Sequence, residues 1–380
     1  MPTILDARTT DDPRDIIHRT VQALSEGAVV GVPTDTVYGL AAHALSEKGV
    51  QRLLEIKGRG DEPIAISVRS RQAADDFLCN ASPVVRRLSR RCWPGPMTLV
   101  APCSDPHSAL SQLPESVRMR ITGPGGGIGF RVIDQRILTG IHRFMSGPLV
   151  LTSANLSGQP AQNTAQGVAQ QFGDTLPLLL DDGPTRYGGA STVVSVSSSQ
   201  WKLLREGVIE RAAMNQFVKP VIVMVCTGNT CRSPMAETIM SEKLSKRLGR
   251  ADAVRVISAG VAAGEGVCAS PQSIEVMGER GLDLTGHSSQ PLTDDVMNVA
   301  DLVLTMTRGH QAAILAAWPE MHDRVFTLRH DGGDITDPVG MSVDTYRRCA
   351  EQMDSELDKW IDRLDDDFFP QEMSDGEEDS

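Results

Sequence analysis

Cys226 and Arg232 bracket the loop Cys226-Thr227-Gly228-Asn229-Thr230-Cys231-Arg232-Ser233. A thiol, a short polar turn and then a guanidinium make a pattern suited to a phosphate. Backbone N–H groups of such a turn point inward, a following helix start adds positive potential, and the guanidinium closes a bidentate clamp. The same field favours the thiolate, so the groups that bind the anion also arm the nucleophile. Attack by sulfur on phosphorus calls for a general acid at the leaving group. Asp337, stiffened by Pro338 in the stretch Asp334-Ile335-Thr336-Asp337-Pro338-Val339, is the candidate. Cys226 and Cys231 have no second pair at zinc-site spacing. The loop also lacks the Gly-Lys-Ser/Thr of a nucleotide-binding P-loop.

The surrounding pattern must hold these residues in place. Residues 221–225 are apolar throughout and read as a buried strand, with a helix from Pro234 to about Leu248 behind the loop. Further strands are expected at 254–260, 301–306 and 325–328, alternating with helices. That order predicts a parallel, Rossmann-like sheet covered on both faces, with the loop at its carboxyl edge. Tyr346, Ala350, Met353, Leu357, Trp360 and Leu364 fall on one stripe of a final helix.

The first half offers a second group of polar residues. Lys57 and Arg59 follow an expected helix over 46–56, Thr34 and Thr36 follow a strand, and Ser153 and Asn155 follow the apolar run 148–151. Taken singly, the cations could be helix-dipole partners, the threonines turn residues, and Ser153 and Asn155 either phosphate contacts or helix caps. Gly125-Gly126-Gly127 reads as a flexible loop, without the strand and helix of a dinucleotide site.

A chain of 380 residues has room for two or three domains. Up to residue 213 there are 22 Lys+Arg against 20 Asp+Glu; from 214 onward there are 15 against 29. Binding of polyanions by the whole molecule is therefore not expected, although the first half can carry a local basic surface. No apolar run has membrane-span length, and the N-terminus lacks the build of a signal peptide. Seven scattered cysteines do not form a disulfide framework. These features predict a cytoplasmic protein with reduced thiols. The expected boundaries are a domain at 1–213, a linker at 214–219, a domain at 220–364 and a disordered acidic tail at 365–380.

In the first half, residues 33–40, Lys57-Gly58-Arg59, 93–98, 129–132, 153–158, 190–194 and 204–207 occur in an order that resembles the YrdC family, the threonylcarbamoyl-AMP synthases. The resemblance implies a twisted mixed α/β domain. It implies conversion of L-threonine, bicarbonate and ATP, with Mg2+, to threonylcarbamoyl-AMP for the tRNA threonylcarbamoyl-transfer machinery. By position, Lys57, Arg59, Ser153, Asn155 and Arg205 would hold ATP, and Thr34, Arg131 and Ser191 the threonine. An RNA-binding module of the same fold, without activity, is the alternative.

The second half is similar to the low-molecular-weight protein-tyrosine-phosphatase family, through residues 225–234, Ser258-Ala259-Gly260, 300–306 and Asp337-Pro338. The resemblance assigns Cys226 as nucleophile, Arg232 as the clamp on the phosphoryl oxygens and Asp337 as acid and then base. Thr227, Gly228, Asn229, Thr230, Cys231 and Ser233 shape the loop, with no metal or other cofactor. Cys226 and Cys231 could form a reversible protective disulfide, as in relatives. Thr230 stands where tyrosine phosphatases usually carry a branched apolar residue. This loop looks closest to the protein-arginine-phosphatase branch, with phosphotyrosine as the other substrate considered.

Overall fold

In a computed structural model that describes residues 2–58, 62–103 and 105–373, the strand Val221–Cys226 is buried at every position. Its side chains alternate between two cores, as the pleat requires. Ile222, Met224 and Cys226 pack with Met235 and Ile239 of the helix Arg232–Leu248 and with Tyr346, Met353 and Leu357 of the helix Val343–Arg363. Val221, Val223 and Val225 face the other way, against Met297 and Ile314. Strands apolar on both faces belong in parallel sheets between two helical layers. The strand accordingly runs parallel to Arg255–Gly260 on one side and Leu302–Thr305 on the other, with Val325–Thr327 beyond. Each large apolar side chain buried here contributes roughly 1.5–3 kcal/mol. The sheet is therefore a rigid platform, and Cys226 is its last residue on this strand.

The other unit is built on a mixed sheet of eleven strands among the described residues. Leu24, Ile137 and Ile141 cover Val30, Val32, Leu149 and Leu151 on one face. Several strands end on the polar residues singled out above. Leu149–Ser153 runs antiparallel to Gly39–His43 and pairs Ser153 with Gly39. Ala65–Ser67 runs parallel to Gly127–Arg131 and pairs Ser67 with Arg131. The helix Glu47–Lys57 starts at Ser46, whose side chain accepts from Gly49 N. It stops at Gly58, in the left-handed region at φ 59, a conformation open to glycine at little cost. Lys57 is thus the last helical residue.

The boundary between the two units falls within the segment 214–219, most of which lies in the helix Arg211–Val218. One expectation about the ends of the domains is corrected. Residues 365–373 are not a featureless tail. They form a 3-10 turn at Asp366–Phe368 and a strand at Gln371–Glu372 that pairs with Gln200 and Trp201. The reason is the Phe368-Phe369 pair among the acids: Phe369 is buried, with the Arg247 guanidinium 5.4 Å over its ring. The rest of the acidic segment, 374–380, lies outside the described residues. By contacts, residues 218–370 form one compact unit, and the strand Gln371–Glu372 belongs with the chain up to Phe217. Among the described residues no helix is long and apolar enough to cross a membrane.

Candidate active sites

At the end of its strand Cys226 turns its sulfur into the loop. Ser233 Oγ lies 3.0 Å from Sγ, and Asn229 N donates to it at 3.2 Å. Both are placed to donate to a thiolate. Asn229 makes the turn possible with φ 53, a left-handed value that asparagine tolerates better than most side chains. Its fully buried side chain is held on every side. Nδ2 donates to Ser233 Oγ at 2.9 Å and Ser258 Oγ at 2.8 Å, and Oδ1 accepts from Gln290 N at 2.9 Å. His287 Nε2 sits 2.7 Å from its carbonyl oxygen. Ser258 in turn donates to Glu237 at 2.5 Å, and burial raises the Glu237 carboxyl above its ordinary range. Gly260 closes this support: a Cβ there would come within 2.4 Å of Thr227 O.

Arg232, 4% exposed, opens the helix behind the loop. Its Nη2 donates to Asp337 Oδ2 at 2.6 Å and its Nη1 to Ile335 O at 3.3 Å. The expected clamp and the expected acid therefore meet, although 105 residues separate them. Asp337 remains about half exposed, with Pro338, Val339 and Met341 beyond it. Thr227 Oγ1 is 2.8 Å from His310 Nε2, whose other nitrogen is 2.9 Å from Thr307 Oγ1. Burial lowers the His310 pKa, and the nearby Arg232 charge adds to the effect. Thr230 is partly exposed; its carbonyl accepts from Ser270 N at 2.8 Å. Cys231 lies 3.4 Å from Tyr346 Oη, and burial pushes that phenol up to about 12. Both loop cysteines are free thiols. Sequence reasoning missed Glu237, His287, Gln290 and His310, because nothing local marks them as partners of the loop.

In the other unit, Thr34, Lys57, Arg131, Ser153, Asn155, Ser191 and Arg205 all line one cavity of about 890 Å³. Arg59 lies outside the described residues. Lys57 Nζ donates to Ser153 O at 2.7 Å, Asn155 O at 2.5 Å and Asn155 Oδ1 at 2.8 Å. The three residues expected to serve one nucleotide thus form one cluster. Arg131 is not an open fork. Its Nη2 is held by Asp35 at 2.5 Å and Thr36 Oγ1 at 2.8 Å, with both members of the ion pair buried. Burial pulls the Arg131 pKa down and Asp35 opposes that shift. Arg205 Nη2 donates to Ser191 O at 2.9 Å and Ser191 Oγ at 3.0 Å, joining a residue expected at ATP to one expected at threonine. Thr34 Oγ1 donates to Val37 O at 2.5 Å and shapes the turn itself. Glu62 is the one carboxylate among the described lining residues. A magnesium ion would therefore have to come with the nucleotide phosphates rather than sit in a protein cage.

Comparison with known proteins supplies the context for both sites. Residues 22–207 match the Sua5/YciO/YrdC family model, described as telomere recombination, and residues 221–369 match the low-molecular-weight phosphotyrosine protein phosphatase model. The chain belongs to both families. It is 31% identical over 221 residues to a threonylcarbamoyl-AMP synthase of Bacillus subtilis (strain 168), covering 58% of this chain and 61% of that one. A Mycobacterium leprae (strain TN) protein provisionally assigned the same name is 31% identical, over 57% of this chain and 94% of its own length. The second unit is 41% identical to the protein-arginine-phosphatase of Bacillus subtilis (strain 168), over 36% of this chain and 91% of that protein. Among solved structures, Pyrococcus abyssi Sua5 matches with a TM-score of 0.51 and 23% identity, over 93% of this chain and 98% of that one, which establishes likeness of fold. Two families of enzymes are therefore joined in one α/β chain, which spans about three fifths of the length of the Bacillus synthase.

Proposed function

We propose that the chain is a bifunctional enzyme. The first unit joins L-threonine, bicarbonate and ATP into threonylcarbamoyl-AMP, releasing pyrophosphate. The observation that supports this is the convergence of Lys57, Ser153, Asn155, Thr34, Arg131, Ser191 and Arg205 on one cavity. Lys57, anchored by Ser153 and Asn155, supplies fixed positive charge to the nucleotide phosphates, with Arg59 and any bound Mg2+ assisting. Arg131, oriented by Asp35, faces the threonine carboxylate. Catalysis of this kind rests on positioning and charge. The product feeds tRNA modification, which places the protein in the cytoplasm beside the transfer machinery.

The second unit hydrolyses protein phosphoarginine. An arriving phosphate takes over the Arg232 nitrogen that Asp337 occupies in the free site, leaving the carboxyl beside the leaving group. Cys226 then bonds to phosphorus as the P–N bond breaks, and a proton from Asp337 goes to the departing guanidine nitrogen. Asp337 next takes a proton from water, which hydrolyses the phosphocysteine. The observation favouring phosphoarginine is a polar, partly exposed Thr230 on the loop, together with exposed aliphatic residues, Val339 and Met341, just after Asp337 and no aromatic residue from 338 to 341. A flat ring has nothing to stack on there, whereas a guanidino group gains a hydroxyl partner.

Initial rates on matched phosphoarginine and phosphotyrosine peptides test the second half: phosphoarginine should give the larger kcat/KM, and the reverse order would return the site to phosphotyrosine. Threonine- and bicarbonate-dependent pyrophosphate release tests the first half. RNA binding without that release would identify a module that has kept the fold and lost the reaction.

A further inference from the structure

We propose that Ser67 and His142 form a proton path out of the first unit's substrate cavity. Ser67 ends the strand Ala65–Ser67, is the register partner of Arg131, and lines the cavity. Its Oγ lies 2.9 Å from His142 Nε2, with the serine 1% and the histidine 7% exposed. His142 comes from the helix Arg136–Phe144 and borders a second cavity of about 660 Å³, lined also by Arg69, Asp75, Asp76 and His107. One imidazole therefore stands between two cavities. One of its nitrogens is bonded to a hydroxyl of the first cavity. Among the described residues, no protein group takes the other. A histidine serving only the core would need no second cavity at its ring.

The charges around the pair suit a relay rather than a resting cation. Burial, with a smaller effect from Arg69, pushes His142 down to about 4, so the ring is neutral at physiological pH. In the second cavity the Asp75 carboxyl lies above its ordinary range because of burial, which makes it a ready acceptor.

The need for a path follows from the reaction proposed above, on which this inference rests. Threonine ammonium and bicarbonate combine to N-carboxythreonine and water with release of one proton: the nitrogen bonds to carbon, and one oxygen leaves as water. That proton has to leave a lined cavity. Ser67 Oγ takes it from the nitrogen while passing its own hydrogen to Nε2, and Nδ1 gives a proton to water or Asp75 in the second cavity. The first tautomer is regained by proton exchange with water, which takes the proton from Nε2 and returns one to Nδ1, so the ring ends each cycle unchanged.

The test uses the full chain and follows threonylcarbamoyl-AMP by mass spectrometry, with ATP affinity measured separately. S67A, H142A and H142Q should each lower kcat about a hundredfold while ATP affinity stays unchanged. H142Q keeps a hydrogen bond to Ser67 but cannot pass a proton. Imidazole should rescue H142A, whereas 1-methylimidazole, which has no N–H to give up, should not. Wild-type kcat in H142Q, or equal rescue by both compounds, would make His142 a purely structural residue. If H142A does not fold, S67A and H142Q decide the matter. An inactive wild type would remove the synthase reading and the path together, whereas an active wild type with unaffected variants would remove the path alone.

Discussion

The two candidate sites are built in opposite ways. In the second unit the site is one continuous loop, from Cys226 to Ser233, in which the Asn229 N–H donates to the Cys226 sulfur and a left-handed Asn229 holds the shape. In the first unit the site is assembled from side chains at the ends of separate strands and one helix: Lys57, Arg131, Ser153 and Arg205. A backbone cradle tolerates change in most of its side chains but depends on its conformation. A side-chain site depends on each charge and on the partner that offsets that charge. Loss of the nucleophile should therefore remove chemistry in the second unit without unfolding it, whereas loss of a charge partner should cost stability in the first.

The sharpest break is at the nucleophile. Cys226→Ser should lower phosphatase kcat by roughly 10⁴-fold or more while leaving threonylcarbamoyl-AMP formation unchanged, and parallel assays on one preparation check both arms. Next comes the buried ion pair. Asp35→Ala leaves Arg131 buried without its carboxylate and should destabilise the first unit by about 3–5 kcal/mol in urea unfolding. The double variant D35A/R131M should recover most of that loss yet remain inactive as a synthase. Full loss in the double variant would mean that the pair is not the source of the effect.

A smaller difference is tied to pH. His142 has its pKa lowered from 6.5 to about 4 in the folded chain. The unfolded state takes up a proton first, so the stability it contributes is complete above pH 6.5 and is lost as pH falls toward 4. The loss is about 3 kcal/mol. Urea unfolding of the first unit at pH 7 and near pH 4.5 should show a steeper decline in the wild type than in His142→Gln; equal slopes would refute this origin. The smallest effect is on specificity. Thr230→Ile should shift the phosphoarginine-to-phosphotyrosine ratio of kcat/KM by about tenfold toward phosphotyrosine, and an unchanged ratio would take Thr230 out of substrate choice.

The contrast between the sites also explains how much of each was legible beforehand. The Cys226–Ser233 loop and its helix could be read directly, because strand, turn and helix start are contiguous and their spacing is set by local geometry. Asp337 was singled out by asking what acid the expected chemistry requires, and the fold sets it against Arg232. The final helix also follows its apolar stripe, with Tyr346, Met353, Leu357 and Trp360 buried. The supports were not legible. Gln290 reaches Asn229 across 61 residues, and Asp35 reaches Arg131 across 96. The strand Gln371–Glu372 was hidden by its acidic surroundings, since its pairing is made by backbone groups that composition does not reveal.

What the amino-acid order alone determined is therefore the local layout of one candidate site and the candidate residues of the other. Residue types carry nucleophilicity, charge and hydrogen-bonding capacity wherever they fall. Folding decided which of those groups meet. It gave Arg131 a buried counter-ion, joined Arg205 to Ser191, and placed His142 between two cavities. Hydrogen bonds and ion pairs act over a few ångströms in space, and distance along the chain does not measure that.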